Sequence, residues 1–134
     1  VLGVTLKLEI VGPSVYYKMI KNGETPFFRA SWLGDYPDPE NYMTMFYSKN
    51  FSPNGPNKTH LSSYKVDRLY KEALRTPDAK ERNNVYVRMD QKVIDLAPVI
   101  PLFYDEVIRL KQKNIKNFPA NAMNMLLLER VRKE

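Results

Sequence analysis

The chain has 134 residues, of which 43% are hydrophobic and 27% charged, and 21 basic against 15 acidic residues give a net charge of +6. This composition suits a folded core rather than wholesale disorder. The absence of cysteine excludes disulfides, thiolate catalysis and cysteine-based metal sites, and the single histidine, His60, argues against a histidine metal site or a Ser-His-Asp relay. The chain opens at Val1 directly into an apolar segment, so we expect a piece or a processed product of a longer protein.

The first third of the chain predicts a strand, a helix and a second strand. Residues 4–10 alternate apolar and polar side chains, which is typical of a strand with one buried face. A helical stripe over residues 14–22 follows and ends before Gly23, a residue suited to the left-handed position after a helix. Residues 27–32 read as the second strand, and this order favours a parallel crossover unit.

The middle of the chain predicts helices separated by turns. Residues 33–39 are rich in turn-forming types, and Asp38 can cap a short helix over residues 41–46. Residues 48–63 read as a loop. Apolar side chains then recur at helical spacing over residues 64–75 and 77–95.

The last third predicts further strands. Residues 99–104 and 107–111 are short apolar runs with β-branched and aromatic residues, which favour strands. Residues 123–131 fit either a strand or a helix, and the alternation of Met125, Leu127 and Val131 favours the strand. The sequence therefore predicts an α/β fold in which a mixed sheet is flanked by helices.

Enzymatic and nucleic-acid motifs are weak. Asp35, Asp38 and Glu40 form an acidic cluster that could do acid–base work, but turn and cap residues before a helix have the same composition. The basic residues are spread over helix faces and a C-terminal cluster, which favours a solvated surface over a nucleic-acid-binding domain. That domain remains the alternative function.

One stretch suggests a ligand pocket. Trp32, the only tryptophan, ends a predicted strand, and Gly34-Asp35 follow before a helix start. Ligands of open α/β sheets bind outside the carboxyl ends of strands, where an aromatic face and a carboxylate suit an ammonium group. The residues alone also allow a buried Trp32 and a turn-forming Asp35.

The same stretch resembles a known family, the solute-binding proteins of oligopeptide and dipeptide ABC importers (extracellular solute-binding protein family 5). Four segments carry the resemblance in the same order: residues 31–42 (W-x-x-D-Y-x-x-P), the helix at 64–74, the helix start at 76–82, and residues 95–104, which resemble the family's D-x-A-P-V-I-P-L-Y-Y strand. Residues 4–10, with the helix and Gly23 that follow, resemble the preceding strand and helix of the family, so the order and spacing of these pieces extend over nearly the whole chain.

The resemblance implies a fragment of a type II periplasmic-binding fold. Residues 1–114 would be part of the C-terminal ligand-binding lobe, residues 115–134 would return toward the first lobe, and the first lobe would be absent from this chain. It also implies a binding protein rather than an enzyme, with no cofactor and no metal.

The resemblance further implies a ligand site and its partners. Asp35 matches the aspartate that pairs with the ammonium of a peptide, Trp32 matches the tryptophan lining the cleft, Tyr36 would be its neighbour, and Arg29 matches an arginine that faces the peptide in some members. The partners would be a peptide, ABC permease subunits and the missing N-terminal part of the protein, without nucleic acid. The location would be periplasmic, or extracytoplasmic on a lipid-anchored protein. We also expect that the fragment can self-associate through apolar surface.

Overall fold

The computed structural model of the protein describes residues 3–121 and 123–134. Its helices are α1 (Pro13–Lys21), α2 (Glu40–Met43), α3 (Tyr64–Arg75) and α4 (Ala79–Leu96), and single 3₁₀ turns lie at Thr44–Phe46 and Ser48–Asn50. Two short strands, β1 (Ile115–Lys116) and β2 (Arg132–Lys133), follow. Across these described residues, none of the helices combines the length and the apolar character needed to cross a membrane. The expectation of a cut start at Val1 lies outside the described residues.

Helix α1 confirms the first predicted helix and its end. Gly12 precedes the helix, Pro13 occupies its first position, and Gly23 adopts a φ of 70° after it. The Gly23 N–H donates to the carbonyl of Ile20 at 3.1 Å, and the Glu24 N–H donates to Met19 at 2.9 Å. These bonds satisfy carbonyls that the end of the helix leaves open, in a backbone conformation that glycine adopts without strain.

The core is the interface between α3 and α4, as the helical spacing predicts. Asp78 begins α4 by accepting a hydrogen bond from the Glu81 backbone N–H at 2.8 Å. Helix α2 and the turn after it add Met43 and Phe46 to the same cluster. The buried side chains of the two long helices are Val66, Leu69, Tyr70, Ala73, Val85, Tyr86, Met89 and Val93.

The loop between the 3₁₀ turns and α3 is held by a buried amide. Asn57 is fully buried, and its side chain donates to the carbonyls of Tyr47 and Leu61 at 3.1 Å each. Asp67 of α3 accepts from the backbone of Ser48 at 2.9 Å. This polar network fixes a segment that contributes little to the apolar core.

The predicted mixed sheet is wrong for the described residues. Residues 4–10, 27–32, 99–104 and 107–111 contain no strand, and the first of them exposes its apolar residues Val4, Leu6, Leu8 and Ile10 by 70–87%. A strand needs a neighbour for its backbone and a covering layer for its apolar face. The described residues supply neither, so alternation alone does not form a strand.

The C-terminal strand prediction is also wrong in position. Residues 123–131, as described, contain turns and no strand, whereas β2 lies after them and pairs antiparallel with β1, Ile115 opposite Lys133. Leu126, Leu127 and Leu128 are consecutive and 46–62% exposed, so they give the segment no single face to bury.

Two of the unpaired apolar segments nevertheless lie near each other. The Arg29 guanidinium is 5.9 Å from the ring centre of Phe103, and Trp32 and Val99 line one cavity. Residue numbers therefore rise along one segment as they fall along the other. The two segments run antiparallel.

Candidate ligand-binding site

The segment that contains Trp32 and Asp35 is tied to helix α2 by one buried amide. The Trp32 indole Nε1–H donates to Asn41 Oδ1 at 2.8 Å, and the Asp35 backbone N–H donates to the same oxygen at 3.2 Å. Asn41 is only 2% exposed. A shared acceptor places the indole and the Asp35 backbone side by side and fixes the orientation of the ring.

The Asp35 carboxylate has no partner within the part of the chain that the structure describes. It is exposed, and among residues 3–121 and 123–134 it makes no hydrogen bond or ion pair. Its backbone is therefore held while its charge stays available. An anion in this position can pair with an external cation.

Tyr36 follows Asp35 in the turn and binds Glu40. The hydroxyls of Tyr36 and Tyr70 each donate to one carboxylate oxygen of Glu40, and Tyr70 also contacts Thr44 Oγ1 at 3.2 Å. The bond to Glu40, with a smaller contribution from burial, raises the pKa of Tyr36. Burial, then the bond to Glu40, raises the pKa of Tyr70. Glu40 thereby connects the site segment to α3.

Asp38 connects the same segment to α4. Its carboxylate accepts from the Glu40 backbone N–H at 2.9 Å, and its second oxygen lies 3.5 Å from an Arg82 guanidinium nitrogen. Asp38 thus binds the first backbone N–H of α2 as predicted, although Pro39 occupies the position directly before the helix and the predicted helix over residues 41–46 is α2 followed by a 3₁₀ turn. Asp38 and Glu40 are thus occupied in holding the turn, which leaves the acidic cluster without a free pair of carboxylates for acid–base chemistry.

Two concave regions flank the turn. An open groove of about 550 Å³ is lined by Tyr36, Glu40, Arg75, Arg82 and Tyr86. Burial, and then the nearby carboxylates of Asp38 and Glu40, raise the pKa of Tyr86 to about 12. A smaller cavity of about 150 Å³ is lined largely by apolar side chains, namely Phe28, Ala30, Trp32, Met45, Phe46 and Val99.

The structure brings together three of the four site residues that the sequence predicts. Trp32 and Asp35 share Asn41, and Tyr36 follows on the same turn. Arg29 is exposed, lies over Phe103 and lines neither concave region. Asn41 is not among the residues that the sequence singles out, and Glu40 appears there only in the acidic cluster, not as the residue that holds Tyr36 and Tyr70. Asn41 follows the helix-start residues Pro39 and Glu40, but no apolar periodicity marks a buried amide.

The basic residues give little sign of a nucleic-acid surface. Arg82 binds Asp38, Arg88 binds Glu72, and Arg109 lies 5.5 Å over the ring centre of Phe118. These three arginines contact other side chains of the protein and are not presented together to a phosphate backbone.

No family model matches the chain. Curated proteins do match it. The dipeptide-binding protein DppE of Bacillus subtilis (strain 168) is 28% identical over 96% of this chain and 23% of its own length. The probable D,D-dipeptide-binding periplasmic protein DdpA of Escherichia coli (strain K12) is 26% identical over 91% of this chain and 24% of its own length. The periplasmic murein peptide-binding protein MppA of the same organism is 27% identical over 90% of this chain and 22% of its own length.

The chain therefore spans about a quarter of the length of the curated relatives it matches. Their names are those of binding proteins rather than enzymes, and they give no support to the alternative of a nucleic-acid-binding domain. The resemblance that the sequence motifs predict is confirmed: over about nine-tenths of its length, the chain is similar to curated proteins that are named for binding dipeptides, tripeptides, murein peptides or oligopeptides.

Proposed function

We propose that the chain is part of the extracytoplasmic substrate-binding component of an ABC transporter, and that this component binds dipeptides or oligopeptides for import. The relatives named for dipeptides and murein peptides support this ligand class. Because those relatives are about four times longer, the proposal concerns the longer protein. In it, residues 1–114 would belong to the C-terminal lobe of a type II periplasmic-binding fold and residues 115–134 would return to the first lobe.

The observation that carries the proposal is the unpaired carboxylate of Asp35 on a backbone held by Asn41. A free peptide N-terminus is an ammonium, and it would pair with this carboxylate. Trp32, fixed by the same Asn41 oxygen, would provide a flat wall beside the pair. A wall that excludes water lowers the local dielectric and strengthens the attraction.

The two other predicted residues have different parts in the proposal. The Tyr36 hydroxyl is engaged with Glu40, so Tyr36 would contribute its ring to the pocket rather than a hydrogen bond. Arg29 keeps an exposed guanidinium and would attract the carboxylate end of a short peptide. Closure of the two lobes around the ligand would bury these contacts, and the closed form would be delivered to permease subunits.

The test is calorimetry on the protein expressed from its complete natural coding sequence, with unmodified and N-acetylated di- to pentapeptides. Removing one partner of a buried ion pair costs about 3–5 kcal/mol, so Asp35→Asn should weaken binding of unmodified peptides by about a hundredfold or more. N-acetylated peptides should bind weakly to both forms. Asp90→Asn, which alters an exposed aspartate on α4, is the control and should leave affinity unchanged.

The competing interpretation makes Asp35 a turn residue. It predicts that Asp35→Asn lowers the melting temperature and leaves peptide affinity within about threefold, since a lost turn contact acts on folding rather than on the ligand. Measuring both quantities on one preparation separates the interpretations, and an unchanged affinity would reject the ion pair.

A further inference from the structure

The positive charge of the protein is concentrated at one end of the chain. Residues 109–134 contain seven basic and two acidic residues, so this segment carries +5 of the net charge of +6. The preceding 108 residues are close to neutral. The candidate ligand-binding site uses none of the basic residues of this segment. A charge asymmetry of this kind is typical of a chain whose basic part has an anionic partner.

Hydrogen bonds give the basic segment a defined shape. The Arg109 guanidinium donates to the carbonyl of Met125 at 3.3 Å, and the side chain of Asn121 exchanges two hydrogen bonds with the backbone of Met125, at 2.8 and 3.0 Å. Strands β1 and β2 then pair, and the Glu134 N–H donates to the carbonyl of Asn114 at 2.9 Å. We call residues 109–134 the basic hairpin. Because Arg109 closes it from within, the other cations of the basic hairpin form its outer surface.

The basic hairpin places like charges directly opposite each other. Lys116 pairs with Arg132 in the antiparallel register, so the two side chains leave the same face of the ribbon, where they repel. None of the ion pairs among the described residues involves the basic hairpin. An anion that contacts both side chains would relieve their repulsion and gain two attractions. The basic hairpin exposes four further cations, namely Lys111, Lys113, Arg130 and Lys133.

A run of exposed apolar residues lies directly before the last cations. Met125–Leu128 are 46–62% exposed, and Arg130 follows two positions later. Nucleic acids offer phosphates together with flat bases that stack on aromatic rings, whereas this run is aliphatic. An anionic lipid surface offers phosphates and, directly beneath them, apolar chains. The combination of exposed cations and an exposed aliphatic run therefore fits a lipid surface better than a nucleic acid.

We propose that the basic hairpin docks the protein on an anionic lipid membrane. Lys116 and Arg132 contact headgroup phosphates from one face of the ribbon, and Met125–Leu128 enter the boundary between headgroups and acyl chains. Charge and apolar contact act together, which is the pairing that peripheral membrane binding needs. This inference goes beyond the binding of peptides and does not depend on it. A binding protein held in this way would stay close to a transporter in the same membrane.

Vesicle sedimentation measures the docking. The 134-residue chain and the mature protein from the complete natural coding sequence, purified without attached lipid, are each mixed with two kinds of vesicle. One kind is pure phosphatidylcholine, and the other contains about one-third phosphatidylglycerol, which is anionic. Both proteins should bind the anionic vesicles at least tenfold tighter than the neutral ones. Raising the salt concentration to about 0.5 M should remove most of this difference, because salt screens exposed charges.

Two variants that remove equal charge test the position of the surface. Lys116→Gln combined with Arg132→Gln should weaken binding to the anionic vesicles at least tenfold, since each basic side chain near such a surface contributes about fivefold. Lys65→Gln combined with Arg68→Gln removes one lysine and one arginine from exposed positions of α3 and should change binding by less than threefold. The hairpin variant also removes a like-charge pair, so its melting temperature should not fall.

A second pair of variants tests the apolar run. Leu126→Ala combined with Leu128→Ala should weaken binding to the anionic vesicles at least fivefold, because less apolar area enters the membrane. Leu74→Ala combined with Leu96→Ala makes the same change at leucines of α3 and α4 that are 58% and 50% exposed, and it should change binding by less than twofold.

Four results would overturn the proposal. Equal effects of the two charge variants would show that net charge alone attracts the vesicles, and equal effects of the two leucine variants would show that the apolar run stays outside the membrane. Vesicle binding by the 134-residue chain but not by the longer protein would show that the rest of the protein covers the basic hairpin. Tighter binding to a short DNA duplex than to anionic vesicles would make nucleic acid the partner. Peptide affinity is measured without vesicles, so each of these failures is distinct from a failure of the proposed function.

Discussion

The side-chain oxygen of Asn41 accepts two hydrogen bonds, one from an indole and one from a backbone amide. Neither donor belongs to a helix or a strand, so Asn41 replaces the partners that secondary structure would supply. The position of the Asp35 charge therefore depends on a residue that does not touch the ligand in our proposal.

We expect Asn41→Ala to destabilise the chain by about 1–3 kcal/mol, because two polar groups lose their common acceptor inside the structure. Urea unfolding monitored by circular dichroism measures the change. Asn83→Ala is the control, since Asn83 is exposed on α4 and should change the free energy of unfolding by less than about 0.5 kcal/mol. Equal effects of the two substitutions would show that the Asn41 bonds contribute nothing.

The sequence predicts the residues that offer chemistry and misses those that hold them. Trp32 and Asp35 stand out by type and by their place after an apolar run. Asn41 and Glu40 act through partners that fold against them, Trp32 on one side and Tyr70 on the other. Such partners lie up to thirty positions away in the chain, and no local pattern encodes them.

The sequence predicts helices α3 and α4 correctly. Each has an apolar stripe at helical spacing, and the two stripes pack against each other. The strand predictions for the alternating segments are wrong because each strand would need a paired neighbour and a covering layer. Leu8 and Leu102 have the right spacing, yet both remain exposed. A helix satisfies its own backbone, whereas a strand depends on another segment, and this difference separates the correct from the incorrect predictions.

Two valines on α4 test the buried stripe directly. Val93 is 2% exposed and Val87 is 61% exposed. Val93→Ala should cost about 2 kcal/mol through lost burial and the cavity that remains, whereas Val87→Ala should cost less than about 0.5 kcal/mol. Chemical unfolding of both variants under one set of conditions provides the comparison, and similar losses would contradict the packing of α4 against α3.

The residues that precede the two long helices allow a second comparison of matched variants. Asp78 caps α4 through a side-chain bond to Glu81, whereas Ser63 precedes α3 without a side-chain bond. Asp78→Ala should therefore destabilise the chain by about 1 kcal/mol, and Ser63→Ala by clearly less. The melting temperatures of the two variants test this difference. A larger decrease in melting temperature for Ser63→Ala than for Asp78→Ala would contradict the role of the Asp78 cap.

At the scale of the whole molecule, two core tyrosines should lower the free energy of unfolding at alkaline pH. The pKa of Tyr86 is raised to about 12 and the pKa of Tyr70 is raised as well, with burial as the main cause in both. The ordinary tyrosine pKa is about 10. Below this pH both groups are protonated in the folded and the unfolded chain, so their contribution to the free energy of unfolding is fully present. From about pH 10 to about pH 12 the unfolded chain releases these protons and the folded chain keeps them, so stability falls as pH rises.

Urea unfolding at pH 8, 10 and 11 measures this decline. Tyr86→Phe should make it shallower, because phenylalanine has no proton to release in either state. Tyr64→Phe is the control: Tyr64 is 80% exposed and should leave the slope as it is. A slope that Tyr86→Phe does not alter would show that Tyr86 ionises equally in both states.

The link between α3 and α4 is only residues 76–78, and we therefore expect the two helices to pair early in folding. Closing so short a loop takes well under a microsecond, and contacts of low sequence separation form fast. The helix pair can therefore act as a nucleus, onto which the turn at Asp38 and Glu40 docks through Arg82 and Tyr70. We expect Trp32, which binds Asn41 of α2, to reach its place only after that docking. In stopped-flow refolding, the helical signal at 222 nm should consequently recover ahead of the tryptophan fluorescence.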